Sequence, residues 1–311
     1  MSDTTMRSAR FHDYGGLEQL VVERVPCPEP KAGEVLVRVH AAGVNPVDWK
    51  FRRGYLKTFM PLTLPHTPGL DLAGVVEAVG PGVTAPVVGD AVFGQGAGTY
   101  AEYAIASTNS LALKPGRLTF DQAATIPVGS ATAWAALFDT AGVEAGQRIL
   151  VHGAAGGVGL FAVQLARWKG AQVIGTASAA NAEFVRSFGA DTVVDYDATP
   201  FEKVVRDVDV VLDTIGGDTL DRSWQVLKPG GILVSIGGMA SEETAKKFRV
   251  RTAPVRSQAS ADLLRQVASL IESGAVSTHV GSIFSLDEAR QAHALSETGH
   301  GRGRIVLHIA D

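Results

Sequence analysis

The residues of this chain with the clearest chemical purpose are the glycines of Val151-His-Gly-Ala-Ala-Gly-Gly-Val-Gly159. They follow a short apolar stretch, Arg148–His152, and open a run of helical period, Val158–Lys169. A glycine turn between a strand and a helix suits a phosphorylated dinucleotide. The backbone comes close to the pyrophosphate, and the positive end of the helix faces its charge. On the G-x-G-x-x-G template the key positions fall on Ala154, Gly156 and Gly159, so alanine replaces the first glycine. Gly156 permits the backbone approach and Gly159 the close packing of helix on strand.

The same region bears on which dinucleotide. An acidic residue about 20 positions beyond the glycines would hold a ribose 2′-hydroxyl and repel a 2′-phosphate. Here the next strand ends Ile174-Gly-Thr-Ala-Ser-Ala-Ala-Asn181, and no carboxylate occurs before Glu183. Ser178 and Asn181 are neutral donors able to meet a phosphate, and Arg186 is near in sequence. These residues favour NADPH. Ser178 and Asn181 also suit a helix start, where such side chains cap backbone amides, and the two roles are compatible.

These residues need a scaffold. From about residue 120 the rhythm is alternating strand and helix. Phe120–Leu137 has helical patches broken at Pro127. Ala171–Thr176, Thr192–Asp195, Val208–Asp213 and Gly231–Ile236 read as strands, and Ala182–Phe188 as a helix closed by Gly189. This alternation predicts a parallel, doubly wound sheet. A last strand, Phe248–Val255, and a helix, Ala261–Ser273, complete it. The first 125 residues instead read as mostly β, with Val35–Val39, Gly74–Val79 and Thr99–Ile105 as strands between Gly/Pro turns. The C-terminal segment, ending in Arg304–Ile309, is too short for its own domain and is expected to pack back onto the first. The expected division is 1–127, 128–273 and 274–311.

Composition narrows the class. A chain of 311 residues has room for two cores. A net charge of −4 supplies no field for nucleic acid or an anionic membrane. The single cysteine, Cys27, can form neither an intrachain disulfide nor a four-cysteine zinc site, and nothing beside it promises reactivity. No apolar run reaches the roughly 18 residues of a membrane helix, and the N-terminus has no apolar core of a secretory signal. A cytoplasmic enzyme is the expectation.

Several further segments occur in a telling order: Ala42-Gly-Val-Asn-Pro-Val-Asp-Trp-Lys50, Thr67-Pro-Gly-Leu-Asp-Leu-Ala-Gly-Val-Val76, Gly98-Thr-Tyr-Ala-Glu-Tyr103, then the glycine turn, Val211-Leu-Asp-Thr-Ile-Gly-Gly217, Leu227-Lys-Pro-Gly-Gly231 and Gly299-His-Gly-Arg-Gly-Arg-Ile-Val306. In this arrangement the chain resembles the zinc-free branch of the medium-chain dehydrogenase/reductase superfamily, the ζ-crystallin-like quinone oxidoreductases and related alkenal/enone reductases. The resemblance runs nearly end to end. It implies an α/β protein: a GroES-like β-rich catalytic domain built from both chain ends, around a doubly wound parallel-sheet Rossmann domain, with the active site in the cleft. Zinc-dependent relatives carry a cysteine near Asn45 and a G-H-E sequence where this chain has Gly69-Leu70-Asp71, so no metal is expected.

The resemblance also assigns residues. It implies that Asn45 contacts the nicotinamide ribose and the substrate end of the cleft, and that Thr132 lies beside the nicotinamide. Gly153, Ala154, Gly157 and Val158 join Gly156 at the pyrophosphate. Tyr196 is implied near the 2′-phosphate, with Gly237 and Gly238 at a backbone turn by the nicotinamide. Arg304, in the Gly299–Val306 segment, completes the cofactor set. Asn181 occupies a seat where some relatives carry a cofactor-binding lysine.

Reduction of a conjugated C=C bond puts hydride on the β-carbon and needs donors for the enolate oxygen. Lys50 and Tyr55 are the candidate donors, each able to pass a proton, with Lys57 in reserve. The competing readings are plain: a surface charge for Lys50, a wetted hydroxyl for Tyr55, and a turn residue before Pro46 for Asn45. Asp48 is expected to orient its loop, and the histidines show no ligand spacing. The reaction expected is hydride transfer from NADPH to an enone, enal or quinone. One-electron reduction of a quinone, and a non-catalytic NADPH-binding protein, are the alternatives. A homodimer is expected through the Phe248–Val255 edge strand.

Overall fold

The computed structural model describes residues 5–311. The chain divides into two compact units: residues 5–128 with 259–272 and 278–311, and residues 129–258 with 273–277.

In the first unit, β1 (Thr5–Phe11) pairs antiparallel with β2 (Leu20–Pro26). A larger sheet forms from β3 (Glu34–Val44), β4 (Asp71–Val79), β5 (Ala91–Gln95), β6 (Tyr103–Ser107) and β7 (Leu111–Leu113). Here β3 is central, between β4 and β15, and almost every residue from Val35 to Val44 is buried. Its apolar run Val-Leu-Val-Arg-Val-His-Ala-Ala-Gly-Val therefore lacks the alternation of a half-exposed strand. The core gathers Val35, Val37, Leu72, Val92, Tyr100 and Leu307.

The second unit holds a six-stranded parallel sheet of β8 (Arg148–Val151), β9 (Gln172–Ala177), β10 (Thr192–Asp195), β11 (Val208–Asp213), β12 (Leu227–Ser235) and β13 (Arg251–Thr252). Its spatial order is β10-β9-β8-β11-β12-β13. The strand order thus reverses between β8 and β11, the switch point outside which α/β sheets leave a ligand crevice. The helix Gly159–Trp168 is buried from Gly159 to Ala166, as an apolar helix beneath a sheet must be. The chain then returns to the first unit, where β14 (Val280–Ser285) and β15 (Arg304–His308) extend the larger sheet, β15 running antiparallel to β3.

Two expectations are corrected. Phe248–Val255 is not one strand: Phe248 ends a helix, Glu242–Phe248, and only Arg251–Thr252 pairs with β12. The acidic start Glu242-Glu243 and basic end Lys246-Lys247 of that segment suit a helix dipole, and this local preference wins. The helix Ala261–Glu272, expected in the dinucleotide unit, groups with the first unit and packs on β7. Its apolar residues Leu264, Val267 and Ile271, spaced for one helix face, are the buried ones.

Among the described residues no helix is long and apolar enough to cross a membrane.

Candidate active site

Each unit brings a group of functional side chains together. In the second, the C-terminal ends of four parallel strands carry every predicted cofactor residue of the Rossmann half except Thr132. Gly153 leaves β8 with φ +65°, and a Cβ there would stand 2.4 Å from Thr214 Oγ1. A Cβ on Gly159 would meet the Gly153 carbonyl oxygen at 2.1 Å. These two glycines are needed by the fold itself. Gly156 differs: its Cβ would touch only the Gly153 oxygen, at 3.3 Å. Glycine there leaves a concave stretch of backbone, the shape a pyrophosphate fits. Among the described residues the amides of Gly157 and Val158 find no acceptor, the usual state of a helix start awaiting an anion. Ala154 is fully buried, and its amide donates to Thr176 O at 3.1 Å.

His152 braces this turn from below. Its ring nitrogens reach Thr176 Oγ1 at 3.1 Å and Ser223 Oγ at 3.0 Å. Burial pushes its pKa down to about 4, so the ring is neutral, one nitrogen donating and the other accepting.

Beside the turn, Asp195 pairs with Ala177, which sets Tyr196 next to Ser178 at the ends of β10 and β9. Tyr196 is half-exposed, and Ser178 starts the helix Ala179–Ser187 without a side-chain capping bond. The Ser178 hydroxyl is therefore available to a phosphate, and Asn181 stands within the first turn of the same helix. Arg186 is corrected: it occupies the last turn, about 12 Å along the axis from Ser178 at 1.5 Å per residue. Asp195 and Asp197 flank Tyr196, and the Asp195 carboxylate accepts the Asp197 amide at 3.1 Å.

Across the switch point, Asp213 is buried at the end of β11. Its carboxylate accepts the amides of Ile215 and Gly216 at 2.9 and 3.0 Å and the Ser235 hydroxyl at 2.7 Å, while Ser235 Oγ accepts the Gly238 amide at 3.1 Å. This clamp fixes two backbone turns against each other. A Cβ on Gly237 would lie 2.5 Å from Gly216 N, so only glycines let them stack. The family resemblance singled out the turn at Gly237 and Gly238; it did not single out Asp213 and Ser235, which hold that turn. Thr132 lies apart, donating to Ser257 Oγ at 3.2 Å.

In the first unit, Asn45 follows β3 and precedes the helix Pro46–Arg52, whose first residue is a proline preset for the turn. Asp48 Oδ2 accepts the Asn45 amide at 2.8 Å and the Tyr100 hydroxyl at 3.0 Å. Burial pushes the Asp48 carboxyl up to about 7, against the pull of those two donors. Asp48 thus orients its loop, as the sequence implied. Asn45 Nδ2 donates to Asp71 Oδ2 at 3.0 Å, and Asp71 Oδ1 accepts the Val128 amide at 2.9 Å. Arg304 completes this cluster. Only 5% exposed, its guanidinium is paired with Asp71, so its placement among the cofactor contacts is corrected to support of the Asn45 cluster. An arginine that opens an apolar strand is cheapest when paired with a buried carboxylate.

Farther along the helix, fully buried Arg52 donates to the Gly15 carbonyl at 2.8 Å and to His293 Nδ1 at 3.2 Å, and pairs with Glu297. Burial, then the Arg52 charge, pushes His293 down to about 3. So anchored, the helix presents Lys50, and the turn after it Tyr55, around one ring: Lys50 Nζ lies 5.7 Å from the Trp49 ring centroid, and Tyr55 meets Trp49 edge-on at 6.0 Å. Lys50 is half-buried and has no carboxylate partner among the described residues; Tyr55 is 65% exposed. Lys57 is exposed beyond them. Among the described residues, no group of three or more His, Cys, Asp or Glu is placed to hold a metal ion.

Residues 31–116 match the alcohol dehydrogenase GroES-like domain, and residues 188–307 match the zinc-binding dehydrogenase family. The chain is 34% identical to human quinone oxidoreductase over 97% of both proteins. The chain belongs to the medium-chain dehydrogenase/reductase superfamily. As a member of it, the protein is an oxidoreductase, with a GroES-like first unit and a Rossmann-like second unit. It is also 37% identical to the NADPH-dependent alkenal/one oxidoreductase of Arabidopsis thaliana, over 97% of this chain and 79% of that protein. The solved quinone oxidoreductase of Coxiella burnetii superposes with a TM-score of 0.91 at 34% identity, covering 98% of this chain and 99% of that one. A nicotinamide cofactor is a property of this superfamily, and the residues of the second unit fit it: the Gly156 concavity and free amides suit a pyrophosphate.

Proposed function

We propose that the protein is an NADPH-dependent reductase that delivers hydride to the conjugated C=C bond of an enone or enal, or to a quinone, without zinc. The observation that carries this reading is the concave Gly156 turn at the switch point, with the Ser178 hydroxyl unused at the neighbouring strand end. NADPH, when bound, supplies the hydride. The pyrophosphate would be held at Gly153–Val158, the 2′-phosphate at Ser178, Asn181 and Tyr196, and the nicotinamide end by Thr132, Gly237 and Gly238. In the first unit Asn45 takes the cofactor side, while Lys50 and Tyr55 meet the substrate oxygen.

With an enone, hydride adds to the β-carbon and the C=C electrons move onto the carbonyl oxygen. The unpaired Lys50 charge stabilises that oxygen, and a proton from Lys50, Tyr55 or water ends on the α-carbon. A stopped-flow screen of NADPH oxidation against enones, enals and quinones, with product identification, tests the reading. Saturated carbonyl product or hydroquinone supports it. Semiquinone radical without alkene reduction supports one-electron quinone chemistry instead, and tight NADPH binding without turnover across the panel removes the catalytic assignment.

The reading includes a cytoplasmic homodimer, supported by the lone Cys27 and by the uncovered edge at Arg251–Thr252. That edge is short and flanked by Lys246, Lys247 and Arg249, so a two-fold contact there would bring like charges together.

A further inference from the structure

His152 is fully buried in the second unit, and the hydrogen bonds through its ring can run in one direction only. Ser223 Oγ donates its single hydrogen to the Thr219 carbonyl oxygen at 2.6 Å. Toward His152 it can therefore only accept, so Nε2, 3.0 Å away, carries the hydrogen of the neutral ring. That leaves Nδ1 an acceptor, and Thr176 Oγ1 donates to it at 3.1 Å. With its hydrogen spent there, the Thr176 hydroxyl oxygen accepts the Gly153 amide at 3.4 Å, while the Thr176 carbonyl accepts the Ala154 amide at 3.1 Å. A ring turned over would set carbon against both hydroxyls, and the Phe201 ring packs on it edge-on at 4.5 Å. The consequence falls on the glycine turn. Its first two amides, Gly153 and Ala154, are committed inward to Thr176, whereas those of Gly157 and Val158 find no acceptor among the described residues.

We infer that His152 is a positioning residue for the anion-binding turn: locked as the Nε2–H tautomer by Ser223, it sets Thr176 to draw the Gly153 and Ala154 amides inward, so that the anion is met at Gly157 and Val158. The inference rests on the NADPH reading above. It changes the work given to the front of the turn: Gly153 and Ala154 supply shape, and the two free amides supply the donors. A turn held in this shape beforehand spends little of the binding energy on ordering itself.

A double-mutant cycle read by NADPH fluorescence, with no electron acceptor present, tests it. His152→Phe keeps a ring and removes both nitrogens; Thr176→Val keeps the shape and removes the hydroxyl. Each is expected to weaken NADPH binding about tenfold, and His152→Gln, which can still accept and donate, to restore part of the loss. The double variant should bind no more weakly than the weaker single one, because His152 acts through that hydroxyl. Ser223→Ala touches no part of the turn, yet it should cost about threefold by freeing the ring hydrogen to move to Nδ1. Adenosine 2′-monophosphate, which has no pyrophosphate, should bind wild type and His152→Phe alike in competition titrations. Equal losses for both ligands would mean general damage to the unit and overturn the inference. Effects that add, or a His152→Phe protein that binds NADPH like wild type, would overturn it too while leaving the NADPH reading intact. Should His152→Phe fail to fold, Ser223→Ala takes its place in the cycle with Thr176→Val. A wild-type protein without NADPH affinity would bring down the cofactor reading and this inference with it.

Discussion

Replacing Asp48 by asparagine should make the protein more stable at neutral and alkaline pH, and leave it unchanged in acid. Asp48 is buried, and its carboxyl is pushed from 3.8 up to about 7. A pKa raised on folding means that the native state prefers the proton. The stability contributed by that preference is complete below the unfolded value and is lost as pH rises through the folded one. At about 1.36 kcal/mol for each tenfold change in proton affinity, the ionised carboxylate costs up to about 4 kcal/mol above pH 7. Asparagine resembles the protonated form, and its Oδ1 can still accept the Asn45 amide and the Tyr100 hydroxyl. His152 and His293, pushed down to about 4 and about 3, work in the opposite sense: they lose stability as pH falls below the ordinary histidine value. They are common to both proteins and cancel in the difference. Thermal melts of wild type and Asp48→Asn in buffers from pH 4.5 to 8.5 read the effect. The variant's advantage should be roughly a quarter of its full size at pH 4.5 and grow to the order of 10 °C by pH 8. A difference that stays flat across this range would refute the argument that burial keeps Asp48 protonated.

Other consequences follow from the same geometry. Lys50→Met should lower kcat for an enone about 100-fold with little change in the NADPH dissociation constant, as single-turnover kinetics and fluorescence titration would show. Ser178→Asp should weaken NADPH binding about tenfold or more while improving NADH, since a carboxylate there faces a phosphate in one and a hydroxyl in the other; competition titrations measure the ratio. If association uses the Arg251–Thr252 edge, light scattering should show more dimer at 0.5 M than at 0.05 M salt, because screening relieves repulsion among Lys246, Lys247, Arg249 and Arg251.

The dinucleotide half was legible because its requirements are backbone requirements. Gly153 must adopt positive φ, Gly159 must let a helix touch a strand, and Gly237 must let two turns stack; glycine is the signature of each. The apolar run Val208–Asp213 matched its strand residue for residue, since a parallel strand buried on both faces leaves little room for another pattern; Thr192–Asp195 also matched, although it is a half-exposed edge strand with only Val194 buried. Arg186 misled because sequence nearness along a helix does not mean sharing its end. Asp213 and Asp71 were harder to see, since each is one acidic residue at the edge of an apolar strand. A carboxylate in such a run signals a buried partner, but its identity is set by tertiary pairing: Arg304 lies 233 positions from Asp71.

The first unit shows why residue type alone could not separate Lys50 from the other cations near it. Arg304 faces Asp71, and Arg52 and Arg53 share Glu297. Each of those charges spends its field on a partner. Lys50 rests on the Trp49 ring instead, a contact that orients an ammonium without neutralising it. Charges interact more strongly where water is excluded, so an uncompensated cation on a rigid helix can stabilise negative charge that appears only as the substrate reacts. The helix is rigid because Arg52 is pinned at its far end by Gly15, His293 and Glu297. In the proposed reaction, the buried arginine would serve Lys50, two residues away, by holding still the element that carries it.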